Sequence, residues 1–395
     1  MARSLLSNSQ HPSMAEIEED FSQRLAVAHA IWLPSVRSGI LWTLRAIAGP
    51  DTRVVGPAFT CEHVHEAITS SRSTWQLVDV AADGLLMDLG SLQSAQRGQT
   101  CTVFCEVFGH VYDFSDQSRG ADKSERRSRI LDMAVTVPNR ALLNRLADND
   151  VALVSFGAGK CMTAGWGGIG FTRDSGLAAD IKSLRDSSLK RETGRLRLTH
   201  GAKVLAQTAL YGRPFYGAAR RFHDRPVAPR GRASWSPGQF GGLNGSSGGY
   251  WDLPSTVVDR RLSQHNLMRA GEYESKRMSD AVRYRDNLGG VGGIRLPPSS
   301  DNALSHFTVR VSAHIRSEIR RCLWQAGVDV GTYFAFPAFL SSHEYPNAHR
   351  LSSEVLNLPL GPGLDDYDID RISEVLIRCS GGRRDQAQAP ASPAI

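Results

Sequence analysis

The stretch SRILDMAVTVPNRALLNRLADNDVALVSFGAGKCMTAGWGGIGFT, residues 128–172, decides the fold class. Three apolar runs of strand length lie in it, Ile130–Val135, Val151–Phe156 and Gly168–Thr172, and Asn139–Asp148 has the length and apolar spacing of a covering helix. Short runs that are apolar throughout belong to strands buried on both faces. Towards the N-terminus the alternation repeats: Arg53–Phe59, Trp75–Val80 and Cys101–Phe108 read as strands, and Ser38–Ala48, Glu62–Ser70 and Asp88–Ala95 as helices. That order predicts an α/β domain with a mainly parallel sheet flanked by helices.

Towards the C-terminus, Leu177–Phe222 reads as helical and basic. Residues 225–255, RPVAPRGRASWSPGQFGGLNGSSGGYWDLPS, then break into Pro, Gly and Ser and mark a loop or domain boundary. A polar helix over Ser255–Asn287, a strand near Ser305–Val311, a helix over Ile315–Ala326 and a closing helix Asp366–Ile377 predict a smaller α+β domain. The expected organisation is a flexible arm over 1–25, a large domain over 26–250, a small domain over 251–380 and a disordered tail over 381–395.

A chain of 395 residues, 41% hydrophobic and 22% charged, can bury a large core, which excludes a disordered chain and a disulfide-stapled miniature. No run approaches the roughly 18 apolar residues of a membrane span, and MARSLLSNSQHPSMAEIEEDF lacks a secretory apolar core, so a soluble cytoplasmic protein is expected. Cys61, Cys101, Cys105, Cys161, Cys322 and Cys379 are scattered and read as small buried residues of a reducing compartment. Cys101 and Cys105 share a strand with no second pair or histidine cluster nearby, so no metal site is expected. His63 and His65 read as ordinary helix residues. Residues 182–232 hold 13 Lys or Arg against three acids, a local balance of +10 that exceeds the chain's +6. This segment could attract a polyanion or be a plain solvated helix face; no nucleic-acid module is present and aromatic residues are sparse there, so nucleic acid is not an expected partner.

Two places combine reactive side chains with the ends of buried strands, where open α/β sheets bind ligands. Asp132 is a carboxylate inside an apolar strand and is costly to bury unless something positive faces it. In SFGAGK, residues 155–160, a strand runs into a glycine-rich turn carrying Ser155 and Lys160; a lysine held there can be desolvated and made nucleophilic, as for a Schiff base. GAGK lacks the spacing and the Ser or Thr of a Walker phosphate loop. No G-x-G-x-x-G follows the first strand, which disfavours a nicotinamide-dependent oxidoreductase.

Taken in order, these motifs resemble the DegT/StrS-type nucleotide-sugar aminotransferases, fold type I pyridoxal phosphate (PLP) enzymes, from about Pro34 to Leu376. WLPSVRSGILWTLRAI is similar to the family's early helix, whose start holds the cofactor phosphate. VVGPAFTCEHVHEAI, WQLVDVAADGLLMDLGSL and VFGHVYDFSD resemble the strand–helix–strand unit and loop that follow. ILDMA and SFGAGK match the cofactor-aspartate strand and the cofactor-lysine turn. GVDVGTYFAFPAF and YPNAHRLSSEVLNLPLGPGLDDYDIDRISEVL resemble the small domain.

The resemblance implies pyridoxal 5'-phosphate bound covalently by Lys160, which also moves the substrate proton. It implies Asp132 on the pyridine nitrogen, Ser155 on the phosphate, and backbone N–H groups around Arg37 and Ser38 at the helix start, although Ser38 could equally be a plain helix cap. Val135 falls where the family has a Gln or His near the ring oxygen, and Cys61 where an aromatic stacks on the ring. Trp166 replaces a glutamate, and Trp251 stands where a partner-chain asparagine often reaches the phosphate; both could be core or interface aromatics. Glu106 and His110 could line the substrate side or lie on the surface. The implied activity is transfer of an amino group, glutamate being the expected donor, to a keto-sugar nucleotide by a homodimer with its site at the interface. Alternatives are amination of a cyclitol and a regulatory PLP-binding homologue without turnover. Arg195, Arg197, Arg220 and Arg221 could attract the nucleotide's diphosphate, or KVLAQTALYGRPFYGAARRF could rest peripherally on an anionic membrane.

Overall fold

The computed structural model describes residues 12–47, 49, 52–96, 98–114, 127–210 and 251–382. Its first half runs α1 (Met14–Leu25), β1 (His29–Leu33), α2 (Val36–Ile47), β2 (Arg53–Pro57), α3 (Glu62–Ser70), β3 (Thr74–Val78), α4 (Leu89–Ala95), β4 (Thr100–Cys105) and β5 (Arg127–Asp132). Next come α5 (Arg140–Leu143), β6 (Val151–Ser155), β7 (Gly168–Thr172), α6 (Ser175–Ser188) and α7 (Gly194–Leu210). The chain continues through α8 (Val257–Met268), α9 (Ala270–Leu288), β8 (His306–Arg310), α10 (Ala313–Gln325), α11 (Pro346–Glu354), β9 (Val355–Pro359) and α12 (Asp366–Ser380).

Seven strands form one sheet in the order β1-β7-β6-β5-β4-β2-β3. Strands β2 to β6 are parallel, β7 is antiparallel to β6, and β1 is antiparallel to β7. Along β4, β5 and β6, alternate residues enter opposite cores: Val103, Ile130 and Leu153 pack with Ile40 and Leu44 of α2, while Phe104, Leu131 and Val154 pack with Phe21 of α1 and Phe156. Both faces are covered, which is why these strands read as continuous apolar runs; each fully buried side chain contributes roughly 1.5–3 kcal/mol.

Register fixes what shares an edge. Cys105 pairs with Asp132, and Ser155 and Leu33 both pair with Gly168, so β4, β5, β6 and β1 end together. Two glycines bring α2 down onto that edge. A Cβ on Gly39 would lie 2.7 Å from Leu33 Cδ1, and one on Gly168 would lie 3.2 Å from Val36 N.

The small domain pairs β8 with β9 antiparallel and packs α9, α10 and α12 around Tyr284, Phe307, Leu323, Leu356 and Leu376. It meets the large domain at the loop after β4, where Ser305 N–H donates to Phe108 O at 2.8 Å. Gly109, at φ +92°, allows this crossing, because a Cβ there would stand 2.8 Å from Ala303 O. A second junction has Asp79, just past β3, accepting from Asn347 and Ala348 N–H at 2.9 and 2.8 Å, so a large-domain carboxylate caps α11.

Several expectations need correction. Within the arm expected over 1–25, residues 14–25 are helix α1. Ser13 and Glu16 form a capping box, Ile17 and Phe21 are fully buried, and Glu18 accepts from Trp32 N–H at 2.8 Å and pairs with Arg185 and Lys182. The strand β1 is an addition that sequence reading passed over, as are α11 and β9. The helix expected over 139–148 is only α5, capped by Asn139 and ending at Asn144. The long helix over 255–287 is two, because Arg269 (φ −103°, ψ 8°) leaves helical geometry between them. Leu262 and Leu267 of α8 pack into the large-domain core, joined by Ala270 and Tyr273 of α9. Nor are all six cysteines thiols. Packing of α10 against α12 brings Cys322 and Cys379 to a Cα separation of 5.8 Å, and they form a disulfide.

Candidate functional site

Asp132 ends β5 and is 8% exposed. Its Oδ1 accepts from Ala134 N–H at 3.0 Å, whereas among the described residues Oδ2 has only the weak Cys105 thiol at 3.7 Å. Burial pushes this carboxyl above its ordinary range, opposed by the charge of Lys160 and the Ala134 N–H. The positive group that the sequence demanded opposite Asp132 is thus Lys160, with one acceptor atom left poorly satisfied.

Lys160 closes the turn after β6, its N–H donating to Gly157 O at 3.3 Å and its carbonyl accepting from Thr163 Oγ1 at 2.8 Å. Ser155 Oγ accepts from Gly157 N–H at 3.3 Å, leaving its own proton to donate. A Cβ on Gly157 would stand 3.4 Å from Ser155 Oγ and 4.0 Å from Lys160 Cγ, filling the space the turn keeps open. Cys61 at the start of α3 also faces this space: burial raises its thiol pKa, Lys160 lowers it, and Asp132 raises it.

Beside Ser155 lies the start of α2. Ser35 Oγ takes the Ser38 N–H at 3.1 Å and is the cap, while Ser38 Oγ donates to Trp251 O at 2.9 Å. The N–H groups of Val36 and Arg37 have no intrahelical acceptor. Arg37 Nη1 meets Glu66 Oε2 at 3.1 Å, and its guanidinium lies 5.2 Å from the Trp251 ring centroid. Trp166 turns its indole N–H to Leu253 O at 3.3 Å, joining the same segment. Val135 takes part through its carbonyl, which accepts from the Cys161 thiol at 3.1 Å.

Structure thus brings Asp132, Ser155, Lys160, Cys61, Arg37 and Ser38 to one sheet edge. Glu106 and His110, expected at the substrate side or on the surface, are buried rather than on the surface. Glu106 is 1% exposed and holds Arg145 at 2.7 Å and Thr136 Oγ1 at 3.0 Å; His110 is buried and its pKa is pushed down to about 4 by burial and Arg285. His306, which sequence reading missed, opens β8 and packs tilted by 54° against Tyr333 with centroids 4.9 Å apart. Burial, Arg277 and Lys160 push its pKa down to about 3, so the ring is neutral. A lone histidine far along the chain gives no local signal; the Ser305–Phe108 contact alone brings it here. His65 is a core histidine bonded to Pro57 O at 3.0 Å. Arg195 is exposed and Arg197 pairs with Glu192 at 2.8 Å, while Arg220 and Arg221 lie outside the described residues. Among the described residues no helix is long and apolar enough to cross a membrane, and no group of three metal-ligating side chains converges.

The geometry fits a flat, cationic, phosphorylated ring: a lysine in an open turn, an underpaired acid, and a serine beside a helix start. Residues 3–207 and 261–377 match the profile of the DegT/DnrJ/EryC1/StrS aminotransferase family. Among solved structures, DesV from S. venezuelae is 22% identical, with 96% of this chain and 92% of that chain covered and a TM-score of 0.70. Spr1654 from Streptococcus pneumoniae, in its PMP form, is 19% identical over 96% and 95%, with a TM-score of 0.70. The sugar aminotransferase CalS13 from Micromonospora echinospora is 19% identical over 93% and 92%, with a TM-score of 0.69. Likeness at these identities carries the fold.

Proposed function

The chain belongs to the DegT/DnrJ/EryC1/StrS aminotransferase family, and we propose that it uses pyridoxal 5'-phosphate to move an amino group from an amino acid, glutamate first, to a keto-sugar carried on a nucleoside diphosphate. The observation that carries this reading is the placement of Asp132 at the end of β5 and of Lys160 in the turn after β6, at the same edge of the sheet. Bound there, the cofactor supplies an electron sink for the bonds at the amino-bearing carbon.

Each residue then has a task its surroundings support. Lys160 Nζ would hold the cofactor through its aldehyde carbon and would serve as the base that moves the proton at the substrate carbon. The poorly satisfied Oδ2 of Asp132 would accept from the cofactor's ring nitrogen and keep it protonated. Ser155 Oγ and the first N–H groups of α2 hold the phosphate, where the helix dipole favours an anion. Val135 and Cys61 border the ring without the polar and aromatic side chains usual there, and the small Cys61 leaves its face open. His306 offers a neutral hydrogen-bonding group from the small domain. A homodimer completes the proposal, checked by sedimentation velocity.

The test begins with purified protein and excess PLP. Near-visible absorbance should appear, borohydride should fix one adduct, and peptide mass spectrometry should place it on Lys160. Lys160→Ala should lose the adduct and at least a thousandfold in the glutamate half-reaction, on the order expected for loss of a covalent catalyst. Wild-type protein that stays colourless and unlabelled would rule the reading out.

A further inference from the structure

Arg37 stands where electrostatics disfavours a cation. It lies in the first turn of α2, at the positive end of the helix dipole, with no acidic residue in that turn. Its side chain is 15% exposed, and Nε is buried with no acceptor among the described residues. Glu66 offers weak compensation, since its side chain is 41% exposed and also serves His63 Nδ1 at 3.0 Å. Trp251 covers the guanidinium and is fixed by its carbonyl to Ser38. The result is an underpaired cation held by an aromatic lid, in the first turn of a helix whose start packs against Gly168, the β7 partner of Ser155.

We propose that the Arg37 guanidinium, clamped by Trp251, is a phosphate-binding side chain that the site uses in addition to backbone N–H groups. The inference rests on the reading above and extends it. A doubly charged phosphoryl group offsets both the helix end and the guanidinium, and Arg binds it through a planar fork that Lys cannot reproduce. Two sources share this chemistry: the cofactor's phosphate and the diphosphate of the sugar nucleotide. A purely structural Arg37 would instead tether α2 to α3 through Glu66.

Equilibrium binding separates these roles without any turnover. Dissociation constants for PLP and for pyridoxal, which lacks the phosphate, are measured by absorbance on wild type, Arg37→Gln, Arg37→Lys and Trp251→Leu. Uridine and thymidine diphosphates are titrated into the PLP-loaded proteins. Expected for Arg37→Gln is a loss of roughly tenfold or more for PLP with pyridoxal unchanged, Arg37→Lys and Trp251→Leu falling between. Unchanged PLP affinity with nucleoside diphosphate binding weakened tenfold also supports the role and assigns it to the substrate. Equal weakening of PLP and pyridoxal, or no change in any ligand, overturns it. A variant too unstable to titrate is replaced by Arg37→Lys, and equal PLP and pyridoxal ratios there overturn it as well. Wild type that binds neither PLP nor pyridoxal sinks the cofactor reading and this inference together; wild type that binds both, with variants that do not distinguish them or the diphosphates, sinks the inference alone.

Discussion

Two carboxylates end neighbouring strands of one sheet, Glu106 just past β4 and Asp132 at the end of β5, and the fold treats them differently. Their backbones are joined, Glu106 N–H donating to Asp132 O at 3.0 Å. Burial raises the pKa of both. Glu106, however, has a guanidinium on one oxygen and a hydroxyl on the other, so its charge is used up inside the protein. Asp132 has one backbone N–H and a distant thiol, with Lys160 acting through space. A buried acid that the fold has satisfied is architecture; one left short of donors is available to a ligand.

Substitutions should separate the pair. The largest effect is expected for Asp132→Ala, which should lower the glutamate half-reaction on the order of 10²–10³-fold while leaving urea stability nearly unchanged, as for other electrostatic contacts to reacting groups. If its loss appears in stability and not in rate, the contrast collapses. Glu106→Gln should do the reverse, destabilising the protein by about 3 kcal/mol because Arg145 loses its counter-charge, with kcat of the folded fraction retained. Chemical denaturation and active-site titration read the two effects separately.

A smaller, pH-dependent effect sharpens the contrast further. In cofactor-free protein, the folded-state pKa of Asp132 lies above its unfolded value, so its favourable contribution is full below the unfolded pKa and is lost as pH rises through the folded one. Asp132→Asn should therefore stabilise the cofactor-free protein at neutral pH, by about 1 kcal/mol, and the gain should shrink as the medium is acidified towards pH 4. Urea midpoints of the two proteins across that range give the measurement; a gain that grows on acidification contradicts the assignment.

Much of the fold was legible because its signals are local. Apolar runs buried on both faces mark β2 and β4 to β7, and the Gly-rich turn at 155–160 follows the end of β6 and bears a lysine. β1 was missed because HAIWL follows a helix taken for a flexible arm, and only pairing with β7 makes it a strand. The short α5 looked longer because Leu146 is buried like a helix residue although the helix has already ended. At the site, Lys160, Asp132 and Ser155 could be read from type and placement. His306, the Trp251 lid on Arg37 and the enclosure of Glu106 could not, since each depends on residues tens to hundreds of positions apart.

By itself the sequence determined most of the large domain's strands and helices and set Asp132 and Lys160 at strand ends, because hydrophobic period and turn composition act over a few residues. Tertiary structure alone decided which buried acid is spare, which histidine comes near the lysine, and which cysteines join. Those depend on register, on helices pressed close by missing Cβ atoms, and on contacts across the domain junction, none of which leaves a mark on neighbouring residues.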